Sequence, residues 1–555
     1  MRTAQTAGDL PSDGDGEVGV TTAADPAPRD IVRQQISHNM VASVATRGLY
    51  LVTRVFVPPL TLMYVSLDEY GVWASSIVLA SYLGMSAFGV ANVYVRETAS
   101  LAATGQLDRI GRLVATGIAL VLVVGLALLA ALWWTLPRII ELFGVPPALH
   151  ATAFVIFFGT VAVLVLDLSF GAFAYVLQGL QRMAEERAVW MASVLLETAL
   201  IVVFLWAGFG VYGLLWAFAI RYVVSTLLYM RRCYQALPGL SLRPSLDRDL
   251  LHLFSVYGGI IQLSGLLGIV LRSAERVLAG ALIGVQATAL YDLGEKLPMM
   301  GSMLASSMNG AFLPAATHLH ASGGHGDVVK LYLKGSRYMN MAMGTLMGFL
   351  AAFAAPLIAV WIGADPRFAP AAAILAAFTY PYQINVLTGP GSAIFRGVKA
   401  PARELVYPLV QLALVAVTVA IGIVALGRTI AMINLTVATS MVVSAAIYIA
   451  TVNRFLGVRE RDYWRAVHLP GLLPYAFAFG LAALGGGWLG PERSRWETLA
   501  ALTVAGALYA AVVPAILYRG CCDAGERAYL RGELRRLLAR VRPRGVGAAG
   551  LPVSR

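Results

Sequence analysis

Apolar residues along the chain occur in runs of about twenty, separated by short polar loops. A helix of that length crosses the roughly 30 Å of hydrocarbon in a bilayer. Within hydrocarbon the backbone must satisfy its own hydrogen bonds, so each run is predicted to be a helix. The pattern predicts an all-α polytopic membrane protein with about fourteen transmembrane helices. The predicted spans are 39–64, 72–95, 113–136, 151–177, 189–207, 212–229, 250–271, 290–313, 339–361, 371–394, 406–426, 430–450, 469–489 and 499–518.

An internal repeat appears when the chain is shifted by 218 residues. Residues 96–105 (RETASLAATG) overlay residues 314–323 (PAATHLHASG), and Gln178-Gly179 overlay Arg396-Gly397. The offset holds across four helices, which predicts two pseudo-symmetric six-helix lobes in the same orientation. Transporters are often built from such repeats, with the substrate path between them. The predicted organisation is a disordered cytoplasmic tail at 1–36, lobes at 37–235 and 249–453, two extra helices within 466–518, and a basic cytoplasmic tail at 519–555.

Charge changes the picture in two ways. Only 13% of residues are charged, against about 25% in a typical soluble domain, which supports a membrane protein. The net charge of +12 is at first suggestive of nucleic acid binding, but most of the 42 Lys and Arg fall in the N-terminal tail and alternate loops. By the positive-inside rule this predicts a multi-pass protein with both termini cytoplasmic and no nucleic acid partner. The basic C-terminal tail predicts an amphipathic helix on anionic lipid or, alternatively, a positive tail that only fixes topology.

Catalytic and metal-binding signals are weak. The three cysteines have no disulfide framework, and no Cys/His pair has metal-ligand spacing, so no cofactor is predicted. Residues 1–33 lack the apolar core of a signal peptide. Asp68-Glu69 could serve a membrane glycosyltransferase or polymerase, but every outer connection is short, so these acids are interpreted as loop residues at a helix start.

Cationic residues within the spans are candidate substrate-binding groups, because an ionisable residue in a membrane must be paired or face water. Arg47 and Arg54 lie two turns apart on one helix face. Arg54 overlays Arg272, near the outer end of the seventh span, and Arg276 follows one turn later. Together with Arg221 they could bind phosphate or pyrophosphate, which suits the guanidinium fork. Alternatively, Arg54, Arg272 and Arg276 snorkel to the interface, and Arg221 pairs with an acid on a neighbouring helix.

Acidic residues in the spans are fewer and are candidates for proton coupling, because burial favours the protonated carboxyl group. They are Asp167, Glu197, Asp292 and Glu295. Two alternatives remain open: Glu197 pairs with Arg221, and Asp292 neutralises Lys296 four residues later on the same helix face.

Several short motifs, in this order and at this spacing, carry a family resemblance. They are EYG at 69–71, FGV at 88–90 with Arg96 following, LQGLQR at 177–182, WIG at 361–363, Asn385 with LTGPG at 387–391, and RG at 396–397. With two six-helix lobes plus two helices, the chain resembles the polysaccharide-transport branch of the multidrug/oligosaccharidyl-lipid/polysaccharide exporter (MATE/MOP) superfamily, which includes O-antigen and exopolysaccharide flippases. The resemblance covers about residues 39–518.

The resemblance implies a V-shaped, two-lobed bundle in the bacterial cytoplasmic (inner) membrane. The implied function is that of a transporter, not an enzyme, which turns a polyprenyl-pyrophosphate-linked oligosaccharide to the outer leaflet by alternating access. The expected partners are this lipid-linked oligosaccharide, membrane lipid, and polysaccharide polymerase or glycosyltransferases, with the chain itself a monomer. The alternatives are a peptidoglycan-precursor flippase, a multidrug antiporter, a membrane polymerase or glycosyltransferase, and an assembly role without transport.

Overall fold

The structure, a computed structural model, describes residues 48, 50–84, 88–242, 248–252, 254, 271, 273–306, 309, 312–321, 324–398, 400–486, 493–528 and 531–532. These residues form helices joined by turns, with no β-strand among them. The helices used below are α1 (Tyr50–Leu62), α2 (Leu67–Gly84), α3 (Phe88–Ala103), α4 (Leu107–Leu142), α5 (His150–Phe170), α6 (Ala172–Gly179), α7 (Met183–Trp206), α8 (Gly210–Ala236), α9 (Arg248–His252), α10 (Ala274–Leu282), α11 (Val285–Ser306), α12 (Phe312–Ala321), α13 (His325–Ala352), α14 (Ala354–Trp361), α15 (Ala369–Val386), α16 (Thr388–Gly397), α17 (Val406–Leu426), α18 (Ile430–Leu456), α19 (Glu460–Leu484) and α20 (Arg495–Gly520).

Helix boundaries repeat at the predicted offset of 218 residues. Helices α2 and α11 begin at Leu67 and Val285, and helices α3 and α12 end at Ala103 and Ala321. The same correspondence continues through α8 and α18, which begin within two residues of the offset. The predicted all-α fold with two pseudo-symmetric repeats is therefore confirmed.

The number of membrane spans differs from the prediction. By length and composition, eight helices in the described part of the chain can cross a membrane, or nine if α13 and α14, bent by 75°, form one span. The predicted span 72–95 is divided between α2 and α3. The predicted span 290–313 contains three charged residues in its first turns, and the predicted span 250–271 lies almost wholly outside the described residues. The count of fourteen therefore stays a prediction.

The two repeats contact each other where α2 packs against α11, and we call this contact the α2–α11 seam. A Cβ atom on Gly71 would lie 2.3 Å from the Val285 carbonyl oxygen, so the two backbones touch. Gln286 Nε2 donates a hydrogen bond to Asp68 Oδ2 (3.1 Å). Asp68 and Gln286 are equivalent positions of the two repeats, and equivalent positions meet only near a pseudo-two-fold axis. The seam therefore marks that axis.

The start of α2 explains the acidic pair that precedes it. Ser66 Oγ accepts a hydrogen bond from the Glu69 backbone N–H (3.2 Å), and Glu69 Oε2 accepts one from the Ser66 backbone N–H (2.8 Å). This reciprocal arrangement is a capping box. With Asp68 bonded to Gln286, both acids have structural partners, which confirms their interpretation as residues at a helix start.

The two extra helices are fixed to the second repeat through α19 and α13. A Cβ atom on Gly344 would lie 1.9 Å from the Gly471 carbonyl oxygen, so the helices approach as closely as their backbones allow. Asn340 Nδ2 donates to the Val467 carbonyl oxygen (2.8 Å). That carbonyl group belongs to the π-helical turn Trp464–His468, which frees backbone carbonyls from the regular helix pattern.

Candidate functional site

The charged side chains of the predicted spans form two groups in the described part of the chain. The first-repeat cluster consists of Arg54, Asp167, Glu197, Arg221 and Tyr222, contributed by α1, α5, α7 and α8. The seam cluster consists of Tyr70, Glu275, Arg276, Asp292, Glu295 and Lys296, contributed by α2, α10 and α11.

A buried ion pair dominates the first-repeat cluster. Arg221 Nη1 lies 3.0 Å from Glu197 Oε2, and the two residues are 6% and 7% exposed. The Arg221 guanidinium also stacks on the Tyr222 ring, 4.7 Å from its centroid. This confirms the alternative in which Glu197 pairs with Arg221. Each charge compensates the other, so the roles of Arg221 in substrate binding and of Glu197 in proton coupling stay predictions.

Arg54 is compensated much less than Arg221. Its guanidinium lies 4.9 Å from the Tyr50 ring centroid, and no described Asp or Glu comes within the 4.0 Å of an ion pair. Glu197 acts on Arg54 only through longer-range electrostatics. A half-buried guanidinium without a carboxylate keeps its fork of N–H donors available for an anionic ligand.

Asp292 connects the two repeats at the seam. It accepts a hydrogen bond from the Tyr70 hydroxyl of α2 (2.7 Å) and one from Lys296 Nζ (2.6 Å). Arg276 Nη1 lies 3.5 Å from its other oxygen. The predicted neutralisation of Asp292 by Lys296 is therefore confirmed, and Asp292 in addition holds α2 and α11 together.

Arg276 is buried, with 13% of its side chain exposed, and it does not reach a membrane interface by snorkelling. Its Nε atom lies 3.8 Å from Glu275 and 4.0 Å from Glu295. The sequence placed Arg276 as a continuation of the seventh span, but the structure begins a new helix, α10, at Ala274. This new helix direction turns the side chain into the seam cluster.

Glu275 and Glu295 are both 2% exposed and lie next to each other. Neither oxygen of Glu295 receives a hydrogen bond from an N–H or O–H group of the described residues. The Glu275 carboxyl group is within hydrogen-bonding reach of the Glu295 carboxyl group. Sequence reasoning noted Glu275 only as a neighbour of Arg276, because its spacing from Glu295 carries no local signal.

The other predicted residues are placed as follows. Asp167 lies on α5 and acts on Arg221 electrostatically, without a direct ion pair in the described structure. Arg54 of the first repeat and Arg276 of the second both act electrostatically on the Tyr70 hydroxyl, so these two cations approach the seam from opposite sides. Arg47 and Arg272 lie outside the described residues.

The chemistry of this arrangement is that of binding. In the described part of the chain, no group of three or more His, Cys, Asp or Glu could hold a metal ion. The seam instead presents the cations Arg54, Arg276 and Lys296 around Tyr70, in a low-dielectric setting where charge-assisted hydrogen bonds are strong.

The fold resembles two solved transporters. An inward-facing multidrug resistance MATE family transporter of the MOP superfamily matches with a TM-score of 0.59 and 15% identity, covering 73% of this chain and 98% of the other. The lipid II flippase MurJ, in an inward closed conformation, matches with a TM-score of 0.63 and 12% identity, covering 87% and 98%. At these identities the likeness concerns the fold.

Sequence comparison gives the family. No curated protein matches the chain. A family model described as "Polysaccharide biosynthesis protein" matches residues 32–320. The resemblance predicted from the motifs is thereby confirmed. Because this match covers more than half of the 555 residues, the chain belongs to the polysaccharide biosynthesis protein family.

Proposed function

We propose that this protein is a flippase that moves a polyprenyl-pyrophosphate-linked oligosaccharide across the bacterial cytoplasmic membrane for surface polysaccharide biosynthesis. It acts as a transporter and not as an enzyme. Family membership and a fold shared with a MATE transporter and with the lipid II flippase MurJ support the proposal. The polyprenyl tail remains in lipid while the pyrophosphate and sugars, which cannot cross hydrocarbon alone, pass between the lobes.

The observation that carries the proposal is Arg54, a guanidinium in the membrane part of the chain with no carboxylate partner among the described residues. A charged side chain at the bilayer centre costs about 2.5–3.5 kcal/mol on insertion scales. Its retention without a counter-ion is accounted for when an anionic ligand binds there. Arg276 and Lys296 approach the same region from the second repeat, so a pyrophosphate could bridge both repeats.

The remaining predicted cations extend this proposal. Arg47 and Arg272 would widen the cationic lining on the two sides of the pseudo-two-fold axis. Arg221 would meet the substrate only when its ion pair with Glu197 opens.

Alternating access requires the α2–α11 seam to open and close. The Asp68–Gln286 and Tyr70–Asp292 hydrogen bonds join the repeats directly and must break when the lobes separate. We propose 37–235 and 249–453 as the moving units. Both termini would face the cytoplasm, and a monomer would receive substrate from glycosyltransferases and deliver it to a polymerase.

The test is export of surface polysaccharide in a deletion strain. The strain is complemented with wild type, Arg54→Ala, Arg54→Lys or the control Arg367→Ala, at matched membrane expression. Arg367 is 58% exposed and pairs with Asp365, so its removal controls for loss of one positive charge. We expect Arg54→Ala to lower export roughly tenfold or more, because a hydrogen bond to a charged group contributes about 1.5–3 kcal/mol. Arg54→Lys should restore export only in part, because lysine lacks the planar fork.

The outcomes separate the candidate functions. Lipid-linked oligosaccharide trapped on the cytoplasmic face in the Arg54→Ala strain supports the flippase and its cationic site. Normal export from that strain contradicts the site. Wild type that leaves polysaccharide unchanged but alters resistance to cationic compounds supports a multidrug antiporter. Wild type that instead rescues depletion of peptidoglycan precursor export supports a peptidoglycan-precursor flippase.

A further inference from the structure

We infer that Glu275 and Glu295 share one proton, and that binding of an anionic headgroup at the neighbouring Arg276 changes the occupancy of this proton site. The inference deepens the proposed function, because it names a proton as the second ligand of the same seam. Its first part concerns only the protein and its protons.

The charge balance of the seam cluster requires a proton. The cluster holds two cations, Arg276 and Lys296, and three carboxyl groups, on Glu275, Asp292 and Glu295. All five side chains are at most 16% exposed. Uncompensated charge is expensive at such burial, so two cations balance two carboxylates and the third carboxyl group is protonated.

Asp292 is one of the two ionised groups. It is held by the Lys296 ammonium, the Tyr70 hydroxyl and the Arg276 guanidinium, and all three are donors. Three donors around one carboxylate stabilise its charged form strongly. The proton therefore resides on the remaining two carboxyl groups, which have only the more distant Nε side of Arg276 to share.

The contact between Glu275 and Glu295 identifies how the proton is held. Two carboxylates are both acceptors and cannot hydrogen-bond each other. With one proton between them, one carboxylic acid donates to the other carboxylate. This bond also provides the donor that the Glu295 oxygens otherwise lack among the described residues. Paired carboxyl groups that share a site keep a proton for the same reason, and the proton belongs to the pair.

The surroundings supply no competing charge. From α2, Tyr70 and Tyr82 face the cluster, and from α11 itself Tyr291 joins Asp292 and Lys296. From α15, Tyr382 faces Arg276, and from α18 Asn434 accepts the hydrogen bond of Tyr291. Arg54 acts from α1 through Tyr70. These neighbours are neutral apart from Arg54, so the protonation of the pair depends on Arg276.

Arg276 is the link between the proton and the substrate. It is the cation nearest to the glutamate pair and also one of the cations proposed to bind pyrophosphate. An anion that draws its guanidinium away leaves the pair with less positive charge nearby, so the pair binds protons more tightly. By reciprocity, a protonated pair releases Arg276 for the anion.

The experiment is infrared spectroscopy of the full-length protein reconstituted in liposomes, without substrate, at neutral pH. Wild type should show the C=O stretch of a protonated carboxyl group that shifts in D₂O. Glu275→Gln and Glu295→Gln should each remove this band, because the single remaining glutamate is then balanced by Arg276. The matched control is Glu404→Gln, which neutralises a surface acid paired with Arg396, and it should keep the band.

Adding inorganic pyrophosphate tests the link. The band should intensify in wild type and stay unchanged in Glu295→Gln. If the glutamine variants fail to fold, Glu275→Asp and Glu295→Asp keep the carboxyl groups and should shift the band instead.

Three results would overturn the inference. They are a wild-type spectrum without the band, a band that survives both glutamine variants, and a band that sodium ions remove at constant pH, which would identify a metal ion as the ligand. A band that ignores pyrophosphate would refute the link to Arg276. None of these results depends on transport, so they are separate from failure of the Arg54 export test, which would refute the proposed function.

Discussion

Arg54 and Arg276 show how much the surroundings of one residue type can differ. Both are arginines in the membrane part of the chain, and both act on the Tyr70 hydroxyl. Arg276 has three carboxyl groups within 4.0 Å, whereas Arg54 has none among the described residues. A guanidinium without a counter-ion is available to a ligand, while a compensated one can move only if its partners change protonation. The two arginines are therefore proposed to act at different steps.

The Glu197–Arg221 pair makes a prediction about stability. Glu197→Gln leaves Arg221 buried without its carboxylate, which typically destabilises a protein by about 3–5 kcal/mol. The double variant Glu197→Gln/Arg221→Met should recover most of that loss, because both charges are then absent. Denaturation in SDS or by heating in detergent measures the difference. Glu404→Gln, in an exposed pair, should change stability by no more than about 1 kcal/mol. A Glu197→Gln variant as stable as wild type would contradict the pairing.

Glu526, in the short segment after α20, makes a prediction about pH. Burial raises the pKa of its carboxyl group, but hydrogen bonds from the Asp523 backbone N–H, Tyr338 and Lys334, together with the charge of Arg337, lower the pKa below its ordinary value of 4.5. A lowered folded-state pKa contributes stability that is present above 4.5 and lost as the pH falls through the folded pKa. The C-terminal segment should therefore stay attached to α13 at neutral pH and detach in acid.

Limited proteolysis after Arg527 tests this attachment. A protease active in acid should cut wild type only at low pH, and Glu526→Gln should be cut by trypsin already at neutral pH. Equal cleavage of the two proteins at neutral pH would show that the ion pairs do not hold the segment.

At the scale of helices, close approach depends on glycine. Helices α13 and α19 meet at Gly344 and Gly471, and the amide of Asn340 bonds into the π-helical turn. Small residues at a membrane helix interface let the backbones approach and gain dispersion contacts, which replace the hydrophobic effect as the driving force. This explains how the two extra helices join the second repeat without a large polar interface.

Gly344→Ala should therefore be destabilising. The added Cβ atom would lie 1.9 Å from the Gly471 carbonyl oxygen, so α13 and α19 must separate, at a cost of about 1–3 kcal/mol. Gly480→Ala is the matched control on α19, because nothing lies within 4 Å of its added Cβ atom. Thermal unfolding in detergent, followed by size-exclusion chromatography, compares the two. A Gly344→Ala protein as stable as the Gly480→Ala protein would contradict the backbone contact.

At the scale of the whole molecule, the seam between α2 and α11 is the place where the repeats must move apart. Asp68→Cys and Gln286→Cys, in a background without Cys233, Cys521 and Cys522, should cross-link through a short thiol-reactive linker. The cross-link should stop polysaccharide export and be reversed by reduction of a cleavable linker. It holds a hydrogen-bonded pair of the two repeats together.

The matched control pair is Thr152→Cys and Tyr212→Cys, which are hydrogen-bonded at 3.1 Å within the first repeat. This pair should cross-link equally well without stopping export. Export that continues with the seam cross-linked would show that the α2–α11 seam stays closed during the cycle.

Much of this architecture could be predicted from the sequence. The 218-residue repeat anticipated the start of α11 and the end of α12, because the same helix boundaries are encoded twice. The Asp292–Lys296 pair was also predictable, since residues four apart on a helix face meet whatever the fold. The Glu197–Arg221 pair was anticipated only as one of two alternatives, because two long side chains on neighbouring helices can meet or miss.

The sequence by itself determined that the chain is helical, membrane-spanning, duplicated and unusually rich in buried arginine, because these properties depend on composition and on local periodicity. Only the tertiary structure decided which arginine has a counter-ion and which does not. It also turned Arg276 inward on a new helix and placed Tyr70 against Asp292 and Glu275 against Glu295. Such contacts join residues on different helices, and their distances depend on helix packing and on the axis between the repeats, which no local pattern along the chain specifies.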